Sequence, residues 1–309
     1  MERTKTHAMR HITQFFLGLS LLLFCRCKEP PSDLEQLQFE LKRQISEIDG
    51  EVAVAFYDLA TTETLLINAE SEYHAASTMK VPVMIELFAQ ADEGRISLKD
   101  SILLQNRFKS IVDGSPYSMD VNEDSDDVVY DRLGTKMTLY DLICPMITVS
   151  SNLATNILIQ EVGAKKVTAR MRKLGATDME VLRGVEDQKA YDRGLNNTTT
   201  AKDLMKVMKA IAEHNAVSAD ASREMVKILK EQFFNDMIPL YLPKDVEVAH
   251  KTGFITGVHH DAAIVYLPNG HAYVLVLLSK NLGDFEMGTQ QLARLSRKVY
   301  DHAVKKSEP

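Results

Sequence analysis

The apolar pattern predicts strands near both ends of the chain and helices between them. Residues 52–57 and 64–67 are short apolar runs joined by a polar turn, which indicates a β-hairpin. Three further runs, 246–250, 262–266 and 273–278, follow in the last third, and a Pro-Asn-Gly turn separates the last two. The strands at the two ends can therefore form one sheet.

Helical spacing dominates the rest of the chain. A charged helix is predicted over residues 32–48, a helix-loop-helix over 138–162, a helix after Thr200 and a closing helix over about 284–304. This order predicts an α+β fold in which an antiparallel sheet, built from both chain ends, packs against an all-helical subdomain.

The N-terminal 30 residues have the features of a targeting segment. Basic residues precede an apolar run over residues 15–24, which is too short to span a bilayer, and Cys25 and Cys27 follow it. We expect an export signal and a periplasmic protein. A lipoprotein anchored through one of these cysteines is the alternative, although the residue before either cysteine is not small.

Composition excludes some classes of function. A net charge of -7 without a basic-aromatic stripe argues against nucleic-acid binding. Cys144 is the one cysteine beyond the targeting segment, so this part of the chain can form no internal disulfide, and we expect a buried, inert thiol. We expect a monomer.

The candidate chemistry begins at Ser77, which has Lys80 three residues on at the head of an apolar helical run. Residues three apart share a helix face, so the Lys80 amine can reach the Ser77 hydroxyl as its base. The first turn of a helix also favours developing negative charge. The alternative is a serine cap followed by a surface lysine.

Two further short motifs fit the same chemistry. Lys251-Thr252-Gly253 ends a predicted strand, where Lys251 can hold a substrate carboxylate and Gly253 lets a substrate backbone approach. Ser150 and Asn152 place a hydroxyl and a carboxamide on one irregular turn, as proton shuttling and substrate orientation require.

Taken together, the three motifs resemble those of class A β-lactamases and penicillin-binding proteins: serine-x-x-lysine, serine-aspartate-asparagine and lysine-threonine-glycine. The resemblance runs from about residue 32 to 302. It implies that Ser77 is the acylated nucleophile, Lys80 its base or proton relay, and Ser150 the donor to the leaving nitrogen.

The resemblance also implies the substrate contacts. Asn152 would hold the substrate amide, and Lys251 with Thr252 would bind a carboxylate. The backbone N–H groups of Ser77 and Phe254 would form the oxyanion hole. His260 falls where the family often has a carboxylate-binding arginine, although a structural histidine is an equal alternative.

Two positions depart from the family pattern. Ser151 stands where the family has aspartate. Residues 183–197 match the omega loop, whose glutamate activates the deacylating water, but Glu186 lies one residue later than that glutamate. Glu186 is the candidate general base, and the alternative is an ion pair with Arg183 or Lys189.

An acidic loop over residues 120–126 has some of the spacing of a calcium loop. Ser125 stands where the sharp turn needs glycine, and no closing glutamate follows. A solvated acidic loop is therefore the better interpretation, and we expect neither metal nor cofactor.

The leading hypothesis is a serine hydrolase that opens β-lactam amides through an acyl-Ser77 intermediate. A D-alanyl-D-alanine carboxypeptidase, or a non-catalytic peptidoglycan-binding module, remains an alternative. The domain would span residues 31–305, with its α/β part at about 31–75 and 215–305 and its helical part at about 76–214.

Overall fold

A five-stranded antiparallel sheet is the central layer of the computed structural model, which describes residues 31–307. The sheet has the strand order β2-β1-β11-β10-β9. The strands are β1 (Glu51–Asp58), β2 (Thr64–Ile67), β3 (Tyr73–His74), β4 (Ser101–Leu103), β5 (Phe108–Lys109), β6 (Pro116–Tyr117), β7 (Lys136–Thr138), β8 (Thr198–Thr199), β9 (Glu247–Ile255), β10 (Val258–Tyr266) and β11 (Ala272–Lys280).

Helices cover both faces of the sheet. One face packs against α1 and α9, and the other against the helices of the middle of the chain. The helices are α1 (Asp33–Ile45), α2 (Lys80–Asp92), α3 (Leu139–Thr148), α4 (Asn152–Val162), α5 (Ala164–Lys173), α6 (Gln188–Asp192), α7 (Ala201–Ala212), α8 (Ala219–Lys230) and α9 (Phe285–Ser307).

Alternation along β1 shows how the sheet separates two cores. Val54 and Phe56 pack toward α1 and α9, whereas Ala53 and Ala55 face the middle helices. Small residues on the second face let α7 lie close to the sheet. Because both faces are buried, the strand reads as a continuous apolar run.

The predicted fold class is confirmed: an antiparallel sheet from both chain ends packs against a helical middle. The strand predicted to end at the lysine-threonine-glycine motif instead continues to Ile255, so these three residues lie inside β9. Three two-stranded ladders, β3-β8, β4-β7 and β5-β6, were not predicted. Each has only two or three residues a strand, too few to produce a recognisable period.

Helix α2 is buried on every side from Lys80 to Gln90. Its charged members therefore need partners. Glu86 accepts hydrogen bonds from Gln90 Nε2 at 2.8 Å and from Arg170 Nε at 3.0 Å. Lys80 lies at the other end of the helix, where it enters the candidate site.

Helix caps follow the predicted pattern. Thr138 Oγ1 accepts from Asp141 N at 3.0 Å, and Thr200 Oγ1 accepts from Asp203 N at 3.1 Å. Cys144 is half-buried rather than fully buried, and burial raises the pKa of its thiol, which keeps it protonated.

Within residues 31–307, none of the helices combines the length and the apolar content needed to cross a bilayer. The predicted export segment, residues 1–30, lies outside the described residues.

Candidate active site

Ser77 lies in a 3₁₀ turn, Ala76–Met79, that runs directly into α2. The prediction placed Ser77 in the first turn of the helix itself, whereas in the structure it lies just ahead of α2. Ala76 has a φ of 44°, an unusual conformation for a residue with a side chain. Backbone strain of this kind is common beside reactive groups.

Strand β9 passes against the Ser77 turn at Gly253. A Cβ atom at residue 253 would lie 2.8 Å from Ser77 N and 2.9 Å from Thr78 N. Any side chain here would therefore push the strand away from the turn. Glycine is needed because β9 lies this close to the Ser77 turn. This reason differs from the predicted one, which was the approach of a substrate backbone.

Lys80 is fully buried, and its Nζ donates three hydrogen bonds. The acceptors are Ser150 O at 2.5 Å, Ser150 Oγ at 3.1 Å and Asn152 Oδ1 at 2.8 Å. None of the hydrogen bonds within residues 31–307 joins Lys80 to the Ser77 hydroxyl. Burial lowers the pKa of Lys80 to about 7, with the carboxylates of Asp124 and Glu186 acting in the opposite direction.

A second buried amine meets the same hydroxyl. Lys251 Nζ donates to Ser150 Oγ at 3.1 Å and to Thr252 O at 2.8 Å. Burial, and then the charge of Lys80, hold the pKa of Lys251 well below its ordinary value. Ser150 itself has a φ of 61°. Two amines and one serine with a positive φ thus form a single hydrogen-bonded group, which is able to exchange protons.

Asn152 links this group to the omega loop. Its Oδ1 accepts from Lys80, and its Nδ2 donates to Glu186 Oε1 at 2.8 Å. Burial raises the pKa of Glu186, while the hydrogen bond from Asn152 lowers it. A continuous chain of hydrogen bonds therefore runs from Ser150 through Lys80 and Asn152 to Glu186.

The backbone beside Glu186 is held by Asn156, one helical turn after Asn152. Val185 N donates to Asn156 Oδ1 at 2.6 Å, and Asn156 Nδ2 donates to Val185 O at 3.0 Å. Tyr117 Oη also donates to Val185 O, at 3.3 Å. Glu186 has a φ of 59°, so its side chain leaves the loop at an unusual angle toward α4.

The ion pairs considered for Glu186 are not formed within the described chain. The Arg183 guanidinium donates to Leu195 O at 2.9 Å and to Gly184 O at 3.0 Å. Lys189 Nζ pairs with Asp113 at 2.8 Å. Both cations thus bind other groups, and the Glu186 carboxylate accepts its hydrogen bond from Asn152.

Four of the predicted residues line a cleft of roughly 280 Å³: Ser77, Asn152, Glu186 and Phe254. The side chains of Lys80, Ser150 and Lys251 lie behind it and connect to it by hydrogen bonds. Thr252 is buried on β9, next to Gly253.

His260 does not join this group. It is fully buried, its Nδ1 accepts from Ser279 N at 3.2 Å, and its Nε2 donates to His74 O at 2.8 Å. Burial lowers its pKa to about 4, so the ring is neutral. With both ring nitrogens bound to backbone, His260 is a structural histidine and not the carboxylate-binding residue that the resemblance implies.

The acidic loop also differs from its prediction. Asp126 is buried, and the Asp124 carboxylate accepts from Asn152 N and Leu153 N at 2.9 Å. The interpretation as a solvated loop was therefore wrong for these two residues. Within residues 31–307, no group of three or more His, Cys, Asp or Glu side chains is placed to hold a metal ion.

Sequence reasoning missed three residues of the site. Asn156 could have been found, because its spacing from Asn152 puts both on one face of α4. Asp124 gives no local signal, since the α4 backbone groups that donate to it lie 28 and 29 residues away. His74 lines the cleft and accepts from Ala76 N at 3.0 Å, and nothing in the sequence distinguishes it.

The fold, with Ser77 on the cleft and Lys80, Ser150 and Lys251 joined by hydrogen bonds behind it, supports a β-lactamase-type serine hydrolase. A sequence model of the family described as "Beta-lactamase enzyme family" matches residues 36–303. The chain therefore belongs to the β-lactamase enzyme family.

Solved structures agree with this assignment. PBP-A is 26% identical, with a TM-score of 0.76, over 90% of this chain and 99% of that one. A mutant of PBP-A, solved as an acyl-enzyme complex with penicillin G, matches with the same identity and TM-score over 90% of this chain and 100% of that one. A β-lactamase from Sphaerobacter thermophilus is 24% identical, with a TM-score of 0.74, over 87% and 98% of the two chains, and shares the fold.

Proposed function

We propose that this protein opens β-lactam amides through a covalent acyl-Ser77 intermediate and then hydrolyses that intermediate. The observation that supports it best is the hydrogen-bond chain from Ser150 through Lys80 and Asn152 to Glu186, beside the Ser77 turn. It supplies a base for each half of the reaction.

Acylation would begin at neutral Lys80. The ammonium form has three protons, and three acceptors surround it; the neutral amine has two protons and a lone pair. The freed lone pair can take the proton of Ser77 Oγ, directly or through a water molecule. With a pKa of about 7, roughly half of the protein has this form at neutral pH.

The oxygen of Ser77 would attack the lactam carbonyl carbon, and the backbone N–H groups of Ser77 and Phe254 would stabilise the oxyanion. Such donors typically contribute about 3 kcal/mol each to the transition state. Gly253 is consistent with this role, because it keeps β9 close to Ser77 N.

Cleavage of the carbon–nitrogen bond requires a proton on the leaving nitrogen. Ser150 Oγ can supply it and regain one from Lys80 or Lys251, both 3.1 Å away. The proton taken from Ser77 is thereby returned to the substrate. Lys251 and Thr252 would also attract the substrate carboxylate to this end of the cleft.

Deacylation would use Glu186. Its carboxylate can take a proton from a water that attacks the acyl carbon; the proton then passes to Ser77 Oγ as the carbon–oxygen bond breaks, which restores both the serine alcohol and the carboxylate. Asn152 would orient both this carboxylate and the substrate amide.

A D-alanyl-D-alanine carboxypeptidase or a related amide hydrolase is the second candidate. The position of Glu186, one residue later than the family spacing, favours it. A mutant of the similar PBP-A was solved as an acyl-enzyme complex with penicillin G, so a stable penicillin adduct is possible on this fold. The two candidates share acylation and differ in the lifetime of a penicillin adduct.

The experiment combines nitrocefin hydrolysis with intact-mass detection of a benzylpenicillin adduct. We expect adduct formation followed by turnover, and Ser77→Ala should abolish both while leaving the melting temperature nearly unchanged. A stable adduct without turnover would favour the peptidase. Absence of both signals in the wild type would overturn the proposal.

A further inference from the structure

Asp124 belongs to the acidic loop, yet its carboxylate lies at the N-terminus of α4. Asn152 N donates to Oδ1 at 2.9 Å and to Oδ2 at 3.0 Å, and Leu153 N donates to Oδ2 at 2.9 Å. Tyr130 Oη adds a fourth hydrogen bond, to Oδ2 at 3.1 Å. A side chain distant in sequence is thus fixed by four donated hydrogen bonds.

The first N–H groups of α4 are divided between two residues. Asp124 takes those of Asn152 and Leu153, while the Ser151 hydroxyl, at the N-cap, accepts from Ala154 N at 3.3 Å. These groups have no partner inside the helix, and the helix dipole favours a negative charge beside them. The Ser151 hydroxyl carries no charge, so the negative charge at this helix N-terminus comes from Asp124.

The same carboxylate acts on the reacting groups through Asn152. The backbone of Asn152 is held by Asp124, and its side chain joins Lys80 to Glu186. Three titratable groups also lie near Lys80: Asp124 from the acidic loop, Glu186 from the omega loop and Lys251 from β9.

We propose that Asp124 is a positioning residue for acylation: its carboxylate replaces the one that Ser151 lacks, fixes Asn152, and supplies negative charge facing Lys80. The inference rests on the proposed acylation of Ser77. It gives a function to the acidic loop. A second contact holds this loop near the Ser150 turn, since Ser125 Oγ donates a hydrogen bond to Val149 O at 2.6 Å.

Removal of the charge should have two opposite effects. Asp124→Asn loses charge-assisted hydrogen bonds and loosens Asn152, which slows acylation. It also favours neutral Lys80, but this gains little near pH 7, because burial already lowers the pKa of Lys80 to about 7 and much of the protein has the neutral amine there. The loss of positioning should therefore dominate at neutral pH.

The test measures the rate of labelling by fluorescent penicillin from pH 5.5 to 8.5 in the full-length protein. We expect Asp124→Asn to label about tenfold more slowly at its plateau. The acidic limb of its pH–rate profile, where the labelling rate falls as the pH is lowered, should move to lower pH. The reason is that the carboxylate that favours protonated Lys80 has been removed. A purely structural cap would lower the plateau and leave that limb unmoved.

Asp120→Asn is the matched control. Asp120 is exposed in the same loop and accepts from Asn122 N at 2.9 Å and from Asn122 Nδ2 at 2.8 Å. This variant should label like the wild type at every pH.

Rescue provides a second variant. Ser151→Asp in the Asp124→Asn background returns a carboxylate to the helix N-terminus from the N-cap, and should restore labelling to within about threefold of the wild type. If Asp124→Asn alone cannot be purified, the double variant decides: rapid labelling supports the inference, and failure to label overturns it.

The outcomes separate the two proposals. A wild type that does not label contradicts the proposed function. A wild type that labels, with Asp124→Asn equal to it in rate and pH profile, contradicts only the role of Asp124. A lower plateau with an unmoved acidic limb makes Asp124 a helix cap and also overturns the inference.

Discussion

The two proposed bases, Lys80 for acylation and Glu186 for deacylation, are held in different ways. Lys80 is fully buried in α2, and its partner amine Lys251 is fully buried in β9, so both are fixed by regular elements of the core. Glu186 is half-buried in the omega loop, with a positive φ, and Asn152 and Asn156 connect its surroundings to α4.

This difference indicates which half of the reaction tolerates change. Moving Lys80 or Lys251 would require a shift of α2 or β9, which core packing opposes. Moving Glu186 requires only the loss of a few hydrogen bonds. Acylation should therefore be robust, while deacylation should respond to single substitutions in and around the omega loop.

The largest effect is expected at the buried amine. Lys80→Met keeps the length and apolar surface of the side chain and removes the base, so benzylpenicillin acylation should fall by about 1,000-fold. Stopped-flow labelling followed by intact mass measures this rate. Lys99→Met, at an exposed lysine, is the control and should behave as wild type. A fall of less than tenfold would show that another group takes the Ser77 proton.

The second effect falls on the opposite half of the reaction. Glu186→Gln keeps the shape of the side chain but removes the base, so deacylation should slow by about 100-fold with acylation changed less than threefold. Pre-formed adduct is isolated, and its decay is followed by mass. Glu161→Gln, at an exposed glutamate on α4, is the control. Equal decay in mutant and wild type would remove Glu186 as the base.

The pH dependence should also separate the two halves. Acylation needs neutral Lys80, whose pKa of about 7 makes the rate fall about tenfold per pH unit below that value. Deacylation needs ionised Glu186, whose pKa burial raises, so its rate should begin to fall at a higher pH than that at which an exposed glutamate protonates. Separate measurement of the two steps tests this. Coincident acidic limbs would mean that one group controls both.

The fold was predictable because its helices have a clear hydrophobic period and its sheet strands are short apolar runs. The five sheet strands could be placed from short apolar runs, since both faces of the sheet are buried, and the caps at Thr138 and Thr200 marked helix starts. The two-residue ladders were not predictable. The β3-β8 pair holds the segment before Ser77 against the end of the omega loop, and its stability depends on the finished tertiary structure.

The site was predictable where its chemistry depends on local spacing. Ser150 and Asn152 could be placed together from sequence because they are two residues apart, and both accept a hydrogen bond from Lys80 Nζ. The predicted reach of Lys80 to the Ser77 hydroxyl stays a prediction. For His260 the sequence left a carboxylate-binding role and a structural role as equal alternatives, because it does not reveal that both ring nitrogens meet backbone atoms. Asp124 was missed since its contacts form only after the acidic loop folds onto α4.

The smallest expected effect concerns the attachment of the omega loop. Asn156→Ala removes both hydrogen bonds to Val185, and Val185 N loses its partner, a loss that typically costs about 1–3 kcal/mol. Deacylation should slow about fivefold, because Glu186 is less well placed, while acylation should remain near the wild-type rate. Tyr117→Phe removes the weaker hydrogen bond to Val185 O, at 3.3 Å, and should have a smaller effect in the same direction.

Adduct decay and penicillin labelling, measured on the same samples, test both variants. Equal slowing of acylation and deacylation would show that the omega loop and the two buried lysines move together. The contrast between firmly held lysines and a loosely held Glu186 would then be wrong.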